Sequence, residues 1–429
     1  MDSQHTDNIS LQQKTWMFQD NKYPIAYEIA TSSNQVDNIE NLVPILLLNG
    51  FGVGSFHQHR LMRQLLLQQN KQLQNNNEQQ TQQQYVIYGI DYLGQGKSWP
   101  TNCNDGNSEN ELNLGYSADT WLEQLHGFIE EIVLPNINSS SDNTSTEKKV
   151  HLVGNSVGGY LSTILSSRYP HLVSSLTLLN ATPVWGLNLP GWNGKLPAPP
   201  IPKFIGRVLF DTIRDVNVID KYLDNAYVHR SAFDGTFDDS FYDGCDSKGG
   251  EALGVKIKAC TENDGGHAAF ASILFSPPAS ELKNEEEVCP QTLPPTPADF
   301  YATLGKLPVD VLLLFGENDP WCTPAVAKRM HTTLASRDSD DDIPETVAQR
   351  YISLLNVGHC PNHEAPTMVA RVLLSWIGSD DRCNVSLISS NSNENVVCEP
   401  WGDVSAREVS IEESNDLGLV DRIVSTLAS

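Results

Sequence analysis

The segment GNSVG at residues 154–158 constrains the fold of this chain more strongly than any other part of the sequence. An apolar run at 149–154 predicts a buried strand before it, and an apolar helical pattern follows at 157–169. A serine at a tight strand-to-helix turn has a strained backbone, and glycines leave space where other residues would place Cβ atoms. Because such a turn exposes the hydroxyl group at the edge of a sheet, the segment predicts that Ser156 is a nucleophile.

Other apolar runs predict the rest of a central sheet. They lie at 43–48, 85–91, 173–180, 309–315 and 350–356, and helical patterns separate most of them. This alternation is typical of an α/β fold, with a mostly parallel central sheet and helices on both faces.

The apolar pattern also predicts how the chain is organised. Residues 182–297 are rich in Pro, Gly and Trp and interrupt the alternation, which predicts an inserted lid. A helix predicted at 57–67 leads into a Gln/Asn-rich stretch at 68–84, which predicts a disordered surface loop. The predicted parts are a flexible N-terminus at 1–15, an α/β core at 16–181 and 298–378, the lid at 182–297, and a polar, acidic C-terminal extension at 379–429.

A nucleophilic serine needs a general base and a carboxylate that orients the base. In this kind of sheet the carboxylate and the histidine follow later strands, in that order along the chain. Asp319 follows the strand predicted at 309–315, and His359 follows the strand predicted at 350–356. Because the carboxyl ends of parallel strands lie at one edge of the sheet, we expect both side chains to lie near the serine. Glu317 is an alternative for the carboxylate.

Acyl transfer also needs two hydrogen-bond donors for the oxyanion of the tetrahedral intermediate. The backbone N–H of Val157, directly after the nucleophile, is the first candidate. The second is the backbone N–H of Phe51, in the loop that follows the first long strand.

The composition excludes other classes of function. The chain has 28 Lys and Arg residues against 53 Asp and Glu residues, which gives a formal net charge of −25. This charge repels nucleic-acid phosphates, and no basic patch offsets it, so we expect no nucleic-acid partner. No apolar run approaches the roughly 20 residues that a membrane-spanning helix needs.

Motifs for nucleotides and metals are incomplete. The segment GQGKS at 94–98 resembles the end of a phosphate-binding loop, but an aspartate occupies the position of its first glycine. His57 and His59 have no third ligand at a suitable spacing. We therefore expect neither a metal nor an organic cofactor. Cys245 and Cys260 either pair or remain free thiols.

Several segments resemble the α/β-hydrolase superfamily and, within it, the pheophytinase-like enzymes that remove phytol from chlorophyll pigments in plants and algae. The serine turn and the order serine, aspartate, histidine are typical of the whole superfamily. The segments LLNATP and ASILFSP are more specific to the pheophytinase-like group. The resemblance covers roughly 16–378 with gaps, and its further segments are NGFGVGSFH at 49–57, DYLGQGKS at 91–98, GENDPW at 316–321 and GHCP at 358–361.

The resemblance implies a serine esterase that cleaves the phytyl ester of chlorophyll a, pheophytin a or both. It implies Ser156 as nucleophile, Asp319 as acid and His359 as base, in agreement with the assignment from the residues. It also implies peripheral contact with pigment-bearing membranes and a plastid location. No targeting segment is visible at the N-terminus, and the cytoplasm is the alternative location.

We expect the lid to supply an apolar pocket for a bulky substrate. Its candidate residues are Trp185, Trp192, Phe204 and Phe270, for which packing in the core is the alternative role. An esterase for another hydrophobic ester, and a ligand receptor without catalytic activity, are the alternative functions.

Overall fold

A computed structural model of the chain describes residues 9–32, 42–75, 83–104, 112–137, 148–189, 192–237, 249–281, 298–339, 347–389 and 395–416. The strands are β1 (Ile9–Met17), β2 (Tyr23–Ser32), β3 (Leu42–Leu48), β4 (Gln84–Ile90), β5 (Val150–Asn155), β6 (Val173–Leu179), β7 (Asp310–Gly316), β8 (Gln349–Leu355), β9 (Val396–Glu399) and β10 (Gly402–Glu408). The α-helices of five residues or more are α1 (His59–Asn75), α2 (Ala118–Phe128), α3 (Val157–Arg168), α4 (Pro200–Ile213), α5 (Val216–Ala226), α6 (Leu253–Ala259), α7 (Gly266–Phe275), α8 (Phe300–Leu304), α9 (Pro324–Ala335), α10 (Pro366–Ile377) and α11 (Ile411–Asn415).

All ten strands form one sheet in the order β1-β2-β4-β3-β5-β6-β7-β8-β10-β9. The central strands from β4 to β8 are parallel, and the strands at both edges are antiparallel to their neighbours. This confirms the predicted α/β fold with a mostly parallel sheet. The strand order reverses at β3, which lies between β4 and β5. Open α/β sheets bind ligands at the carboxyl ends of the strands beside such a reversal.

The core has two apolar layers, one on each face of the sheet. Large aromatic side chains fill one layer, among them Trp121 and Tyr160, which are almost fully buried. The other layer contains aliphatic residues of α1 and α10 together with Trp376. Because both faces are covered, the central strands are apolar along their whole length, which is why they are recognisable in the sequence.

The N-terminus differs from the prediction of a flexible segment at 1–15. Residues 9–15 belong to β1, which pairs with β2 from Ile9 opposite Ser32 to Met17 opposite Pro24. Most side chains of this edge strand are exposed or half-buried, so its sequence lacks a clear apolar alternation. Residues 1–8 lie outside the described part of the chain.

The Gln-rich stretch also differs in part from the predicted loop. Helix α1 continues to Asn75 instead of ending near residue 67. Glutamine has a high helix propensity, and two glutamines anchor this part of the helix. Gln69 Oε1 accepts a hydrogen bond from Tyr85 N at 2.9 Å, and Gln68 Nε2 donates one to Thr367 O at 2.9 Å.

The segment after residue 378, predicted as a polar extension, contributes β9 and β10 to the sheet. Strand β10 pairs with β8 over Ser405–Glu408 and buries Val404 and Ala406. The strands are short and carry few apolar residues, because only one face of this edge meets the core.

Four helices, α4 to α7, lie between β6 and β7 in the region predicted as the lid. Helix α4 packs closely on α7 at Gly206. A Cβ atom at this residue would lie only 2.7 Å from the Cβ atom of Ala271, so the contact depends on glycine. In the part of the chain that the structure describes, no helix is long and apolar enough to cross a membrane.

Gly158 positions α3 against the end of β3, and its substitution tests this packing. A Cβ atom at this residue would lie 2.5 Å from Leu48 O and 2.7 Å from Asn49 O. We expect Gly158→Ala to lower the free energy of unfolding by about 2 to 3 kcal/mol, because two backbone segments must separate. Urea denaturation measures the change. Ser167→Ala, at an exposed residue of the same helix, is the control and should change it by less than about 0.5 kcal/mol. Equal stability of both variants would contradict the packing argument.

Candidate active site

Ser156 occupies the turn between β5 and α3 in a strained conformation, with φ 54° and ψ −118°. Strand β6 and the segment directly after it hold this turn. Ser156 N donates a hydrogen bond to Leu179 O, and Thr182 N donates one to Ser156 O, both at 3.1 Å. Strain of this kind persists only where the surroundings enforce it, and it is concentrated at functional sites.

His359 and Asp319 form a buried hydrogen-bonded pair. Nδ1 of His359 lies 2.6 Å from Oδ2 of Asp319, and both side chains are buried. The same carboxylate accepts hydrogen bonds from Asn180 Nδ2 and from Trp321 N, each at 2.8 Å. Glu317, the alternative carboxylate, is instead partly exposed and lies 3.9 Å from Arg407. Of the two candidate carboxylates, Asp319 is therefore the one that contacts His359.

The environment keeps Asp319 ionised. Burial raises the pKa of this carboxyl group, but the hydrogen bond and the charge of His359, with the donors Trp321 N and Asn180 Nδ2, outweigh burial and lower the pKa below its ordinary value. A carboxylate bonded to Nδ1 fixes the orientation of the imidazole ring and leaves Nε2 for the reacting group.

Ser156 and His359 line the same cavity, which has a volume of about 560 Å³. The lid contributes most of the wall, with Phe210, Ile213 and Phe270 among the apolar side chains. The sequence predictions for Ser156, Asp319 and His359 thus fall on residues that the fold brings to one end of the sheet.

The loop after β3 lies directly beside the serine. A Cβ atom at Gly50 would lie 3.3 Å from the Cβ atom of Ser156, so only glycine allows this approach without displacement. Gly52 N donates a hydrogen bond to Gln95 Oε1 at 2.7 Å, which fixes the loop. The backbone of Phe51 lies between these two anchors, and its ring is 43% exposed and lines the cavity.

Val157 is the first residue of α3, where backbone N–H groups have no acceptor within the helix. This position also carries the positive end of the helix dipole. The two predicted oxyanion donors, Phe51 N and Val157 N, therefore follow the adjacent strands β3 and β5. Their role in catalysis remains a prediction.

Of the four aromatic residues predicted for the pocket, Phe270 lines the cavity and its ring centroid lies 6.0 Å from that of Phe51. Trp185 lies instead in the aromatic core, edge-on to Trp121 at 5.4 Å. Trp192 lines a second cavity of about 790 Å³, and Phe204 is 68% exposed on the outside of the lid. Aromatic content alone did not distinguish pocket, core and surface, because all three environments accept large apolar side chains.

Two asparagines that the sequence analysis did not select hold the site together. Asn155 Nδ2 donates to Leu179 O at 3.1 Å and to His359 O at 3.0 Å. Asn180, with φ 41°, donates to Asp319 Oδ2 and accepts a hydrogen bond from Gly316 N at 2.8 Å. Each asparagine lies at the carboxyl end of a strand, a position that could have indicated a site role.

Glu364 joins the histidine loop to the lid. This fully buried carboxylate accepts hydrogen bonds from Gly358 N, Val228 N and His229 N, each at 2.7 Å. Strands β9 and β10 form the C-terminal hairpin, which contacts the same residue. Trp401, in the turn of this hairpin, donates a hydrogen bond from Nε1 to the backbone carbonyl of Glu364 at 2.7 Å. The segment after residue 378 therefore supports the loop that carries His359.

Two of the predicted triad residues, Asp319 and His359, belong with Cys322 to the one group in the described ranges that has the spacing of metal ligands. Ligand atoms of Asp319, Cys322 and His359 lie within 4.8 Å of one another. Two of these residues already form the acid–base hydrogen bond. His57 and His59 have different partners, since their Nε2 atoms contact Tyr227 OH and Glu28 Oε2. Cys260 is a free, half-buried thiol, and Cys245 lies outside the described residues.

Asp319→Asn tests the acid–base pair. Asparagine preserves the shape but removes the charge that stabilises the histidine cation, so we expect kcat for a soluble ester to fall by about 10⁴-fold. Glu317→Gln is the matched control and should leave kcat nearly unchanged, because Glu317 does not contact His359. Stopped-flow or plate assays with p-nitrophenyl butyrate measure both variants. A benign Asp319→Asn would refute this assignment of the acid.

Glu364→Gln tests the connection between the histidine loop and the lid. The amide cannot accept all three N–H groups, so we expect the free energy of unfolding to fall by about 2 to 3 kcal/mol and ester turnover to decrease. Glu412→Gln, at an exposed residue of α11, is the control and should alter neither quantity. Urea denaturation and kcat are measured on the same preparations. If Glu364→Gln behaved like the control, the carboxylate would not hold the loop.

Comparison with known proteins agrees with this geometry. Residues 45–372 match the model of the alpha/beta hydrolase family. Chloroplastic pheophytinase from Arabidopsis thaliana is 27% identical over 369 residues, which cover 78% of this chain and 60% of the pheophytinase. The chain thus aligns with about 60% of the length of that relative.

Solved structures show the same fold at low sequence identity. An esterase from Exiguobacterium antarcticum is similar over 86% of this chain and 100% of its own, with 17% identity and a TM-score of 0.51. A bacterial membrane phospholipase A is similar over 86% of both chains, with 19% identity and a TM-score of 0.50. From the family match, which covers most of its length, this chain belongs to the alpha/beta hydrolase family.

Proposed function

We propose that this hydrolase is a serine esterase that removes phytol from chlorophyll a, pheophytin a or both. The observation that carries the proposal is the buried pair of His359 and Asp319, whose histidine lines the same apolar cavity as the strained Ser156. The similarity to pheophytinase supports the choice of pigment ester. By the same similarity we propose a plastid location.

In the proposed mechanism, Nε2 of His359 takes the proton of the Ser156 hydroxyl as Oγ attacks the ester carbonyl carbon. The backbone N–H groups of Phe51 and Val157 stabilise the resulting oxyanion. Collapse of the intermediate transfers the proton from His359 to the leaving alkoxide, and phytol departs. Water, deprotonated by His359, then releases the chlorin acid and restores the serine. Asp319 stays ionised and stabilises the imidazolium in both halves of the reaction.

The cavity favours an apolar ester over a charged one. Aliphatic and aromatic residues of α4, α5 and α7 form most of its wall, among them Phe210, Leu223, Phe270 and Ile273. Arg214 is the cation that lines it, and its guanidinium already lies over the ring of Phe210. The binding energy for a bulky substrate would therefore come from burial of apolar surface.

The test incubates the purified protein separately with chlorophyll a and pheophytin a, and follows chlorophyllide, pheophorbide and phytol by chromatography. We expect release of phytol from at least one pigment and none from the Ser156→Ala variant, which lacks the nucleophile and should lose at least 10⁴-fold in kcat. A serine-directed fluorophosphonate should label the native protein and not the variant.

Other results would select other functions. Turnover of nitrophenyl esters with no reaction of either pigment would overturn the pigment assignment and favour another hydrophobic ester. Pigment binding without labelling or turnover would indicate a receptor.

A further inference from the structure

Helix α4 of the lid, Pro200–Ile213, exposes an apolar face that no described residue covers. Of the fifteen large apolar side chains that are exposed in the described ranges, five belong to this helix. They recur at spacings of three and four residues, so they share one side of the helix. They are Ile201 at 71% exposure, Phe204 at 68%, Val208 at 49%, Ile205 at 40% and Leu209 at 38%.

The opposite side of α4 is part of the protein interior. Gly206 packs on Ala271 of α7, and the ring centroid of Phe210 lies 5.4 Å from that of Phe270. Phe210 and Ile213 line the cavity that contains Ser156. The helix therefore separates an apolar outer surface from the apolar pocket by its own width.

Polar groups on α4 are placed so that they do not interrupt the exposed face. Lys203 and Arg207 lie four residues apart on the side of the helix that is neither the exposed apolar face nor the buried face. Asp211 lies one turn further on that side. Thr212 is within the apolar face, but its hydroxyl donates a hydrogen bond to Val208 O at 2.8 Å inside the helix. The helix itself carries two cations against one anion, in a chain whose net charge is −25.

We propose that this face of α4 docks the protein on the surface of a lipid bilayer whose headgroups carry no net charge. A helix with one apolar face and cations at its border lies in the headgroup region, with the apolar side chains among the acyl chains and the cations near the phosphates. The large negative charge of the chain repels an anionic surface, which makes a zwitterionic one the better partner.

Because α4 also lines the cavity, docking would place the cavity of Ser156 next to the bilayer. This part of the inference rests on the proposed function, since a phytyl ester partitions into a bilayer. A substrate that leaves the bilayer next to α4 has only the width of the lid to cross before it reaches Ser156. Docking would then supply substrate at its concentration in the membrane, and it would not change the chemical step.

The experiment measures binding of the full chain to sucrose-loaded vesicles of phosphatidylcholine by sedimentation. We expect the protein to bind, and we expect the double variant Ile201→Ser/Val208→Ser to bind at least tenfold more weakly, because two exposed apolar side chains are removed. Leu112→Ser/Val396→Ser, which changes two apolar residues exposed at 55% and 44% elsewhere, is the matched control and should bind like the native protein. Fluorophosphonate labelling should be equal in all three proteins if they are folded.

Three results would overturn the proposal. They are no binding of the native protein to the vesicles, an equal loss of binding in the control, and a dimer in solution that the α4 variant alone dissociates. The last result would show that a second copy of the chain covers the helix. Vesicles contain no pigment, and binding is repeated with Ser156→Ala, so the result is independent of whether the protein cleaves a phytyl ester.

Discussion

The close approach of β3, β5 and α3 at Ser156 is the constraint on which the rest of the site depends. The serine keeps its strained backbone because Gly158 allows α3 to lie against the carbonyl groups that end β3. Hydrogen bonds from β6 and from Asn155 then fix the turn relative to the loop that carries His359. A parallel sheet supplies this arrangement because its strands all end at one edge, so three segments distant in sequence meet without a long loop. The arrangement of the three predicted catalytic side chains is thus a property of the sheet edge as much as of the side chains themselves.

Two parts of the chain outside that edge also shape the site, namely the lid and the C-terminal hairpin. The lid provides the apolar wall of the cavity, and Glu364 attaches it to the histidine loop through three backbone N–H groups. The C-terminal hairpin reinforces this attachment with Trp401, which also stacks against the guanidinium of Arg60 at 4.4 Å. A segment beyond the family match, which ends at residue 372, thus contacts the loop that carries His359. No aspartate or glutamate is among the described residues that line the cavity, and Asp319 contacts the site through its hydrogen bond to His359.

The sequence was sufficient to predict the elements whose pattern is dense in apolar residues. The parallel strands are buried on both faces, and the turn at Ser156 has a glycine pattern, so both are visible without a structure. The order of Ser156, Asp319 and His359 followed from the same sheet. Residues 9–15 of edge strand β1 and the edge strands β9 and β10 were not predicted, because they bury few side chains. Asn180 and Glu364 were missed for a different reason, since their roles depend on contacts across more than 100 residues of sequence. The aromatic residues of the lid show the same limit, because burial and exposure are set by packing that composition does not encode.

The proposed mechanism requires a covalent acyl intermediate on Ser156, and this intermediate can be trapped during turnover of a soluble ester. The protein is mixed with p-nitrophenyl butyrate, quenched in acid within milliseconds, digested and analysed by mass spectrometry. We expect a burst of nitrophenolate together with a butyryl group on the peptide that contains Ser156, and neither signal in Ser156→Ala. Turnover of the ester by the native protein with the acyl group on another residue, or undiminished turnover by Ser156→Ala, would contradict it.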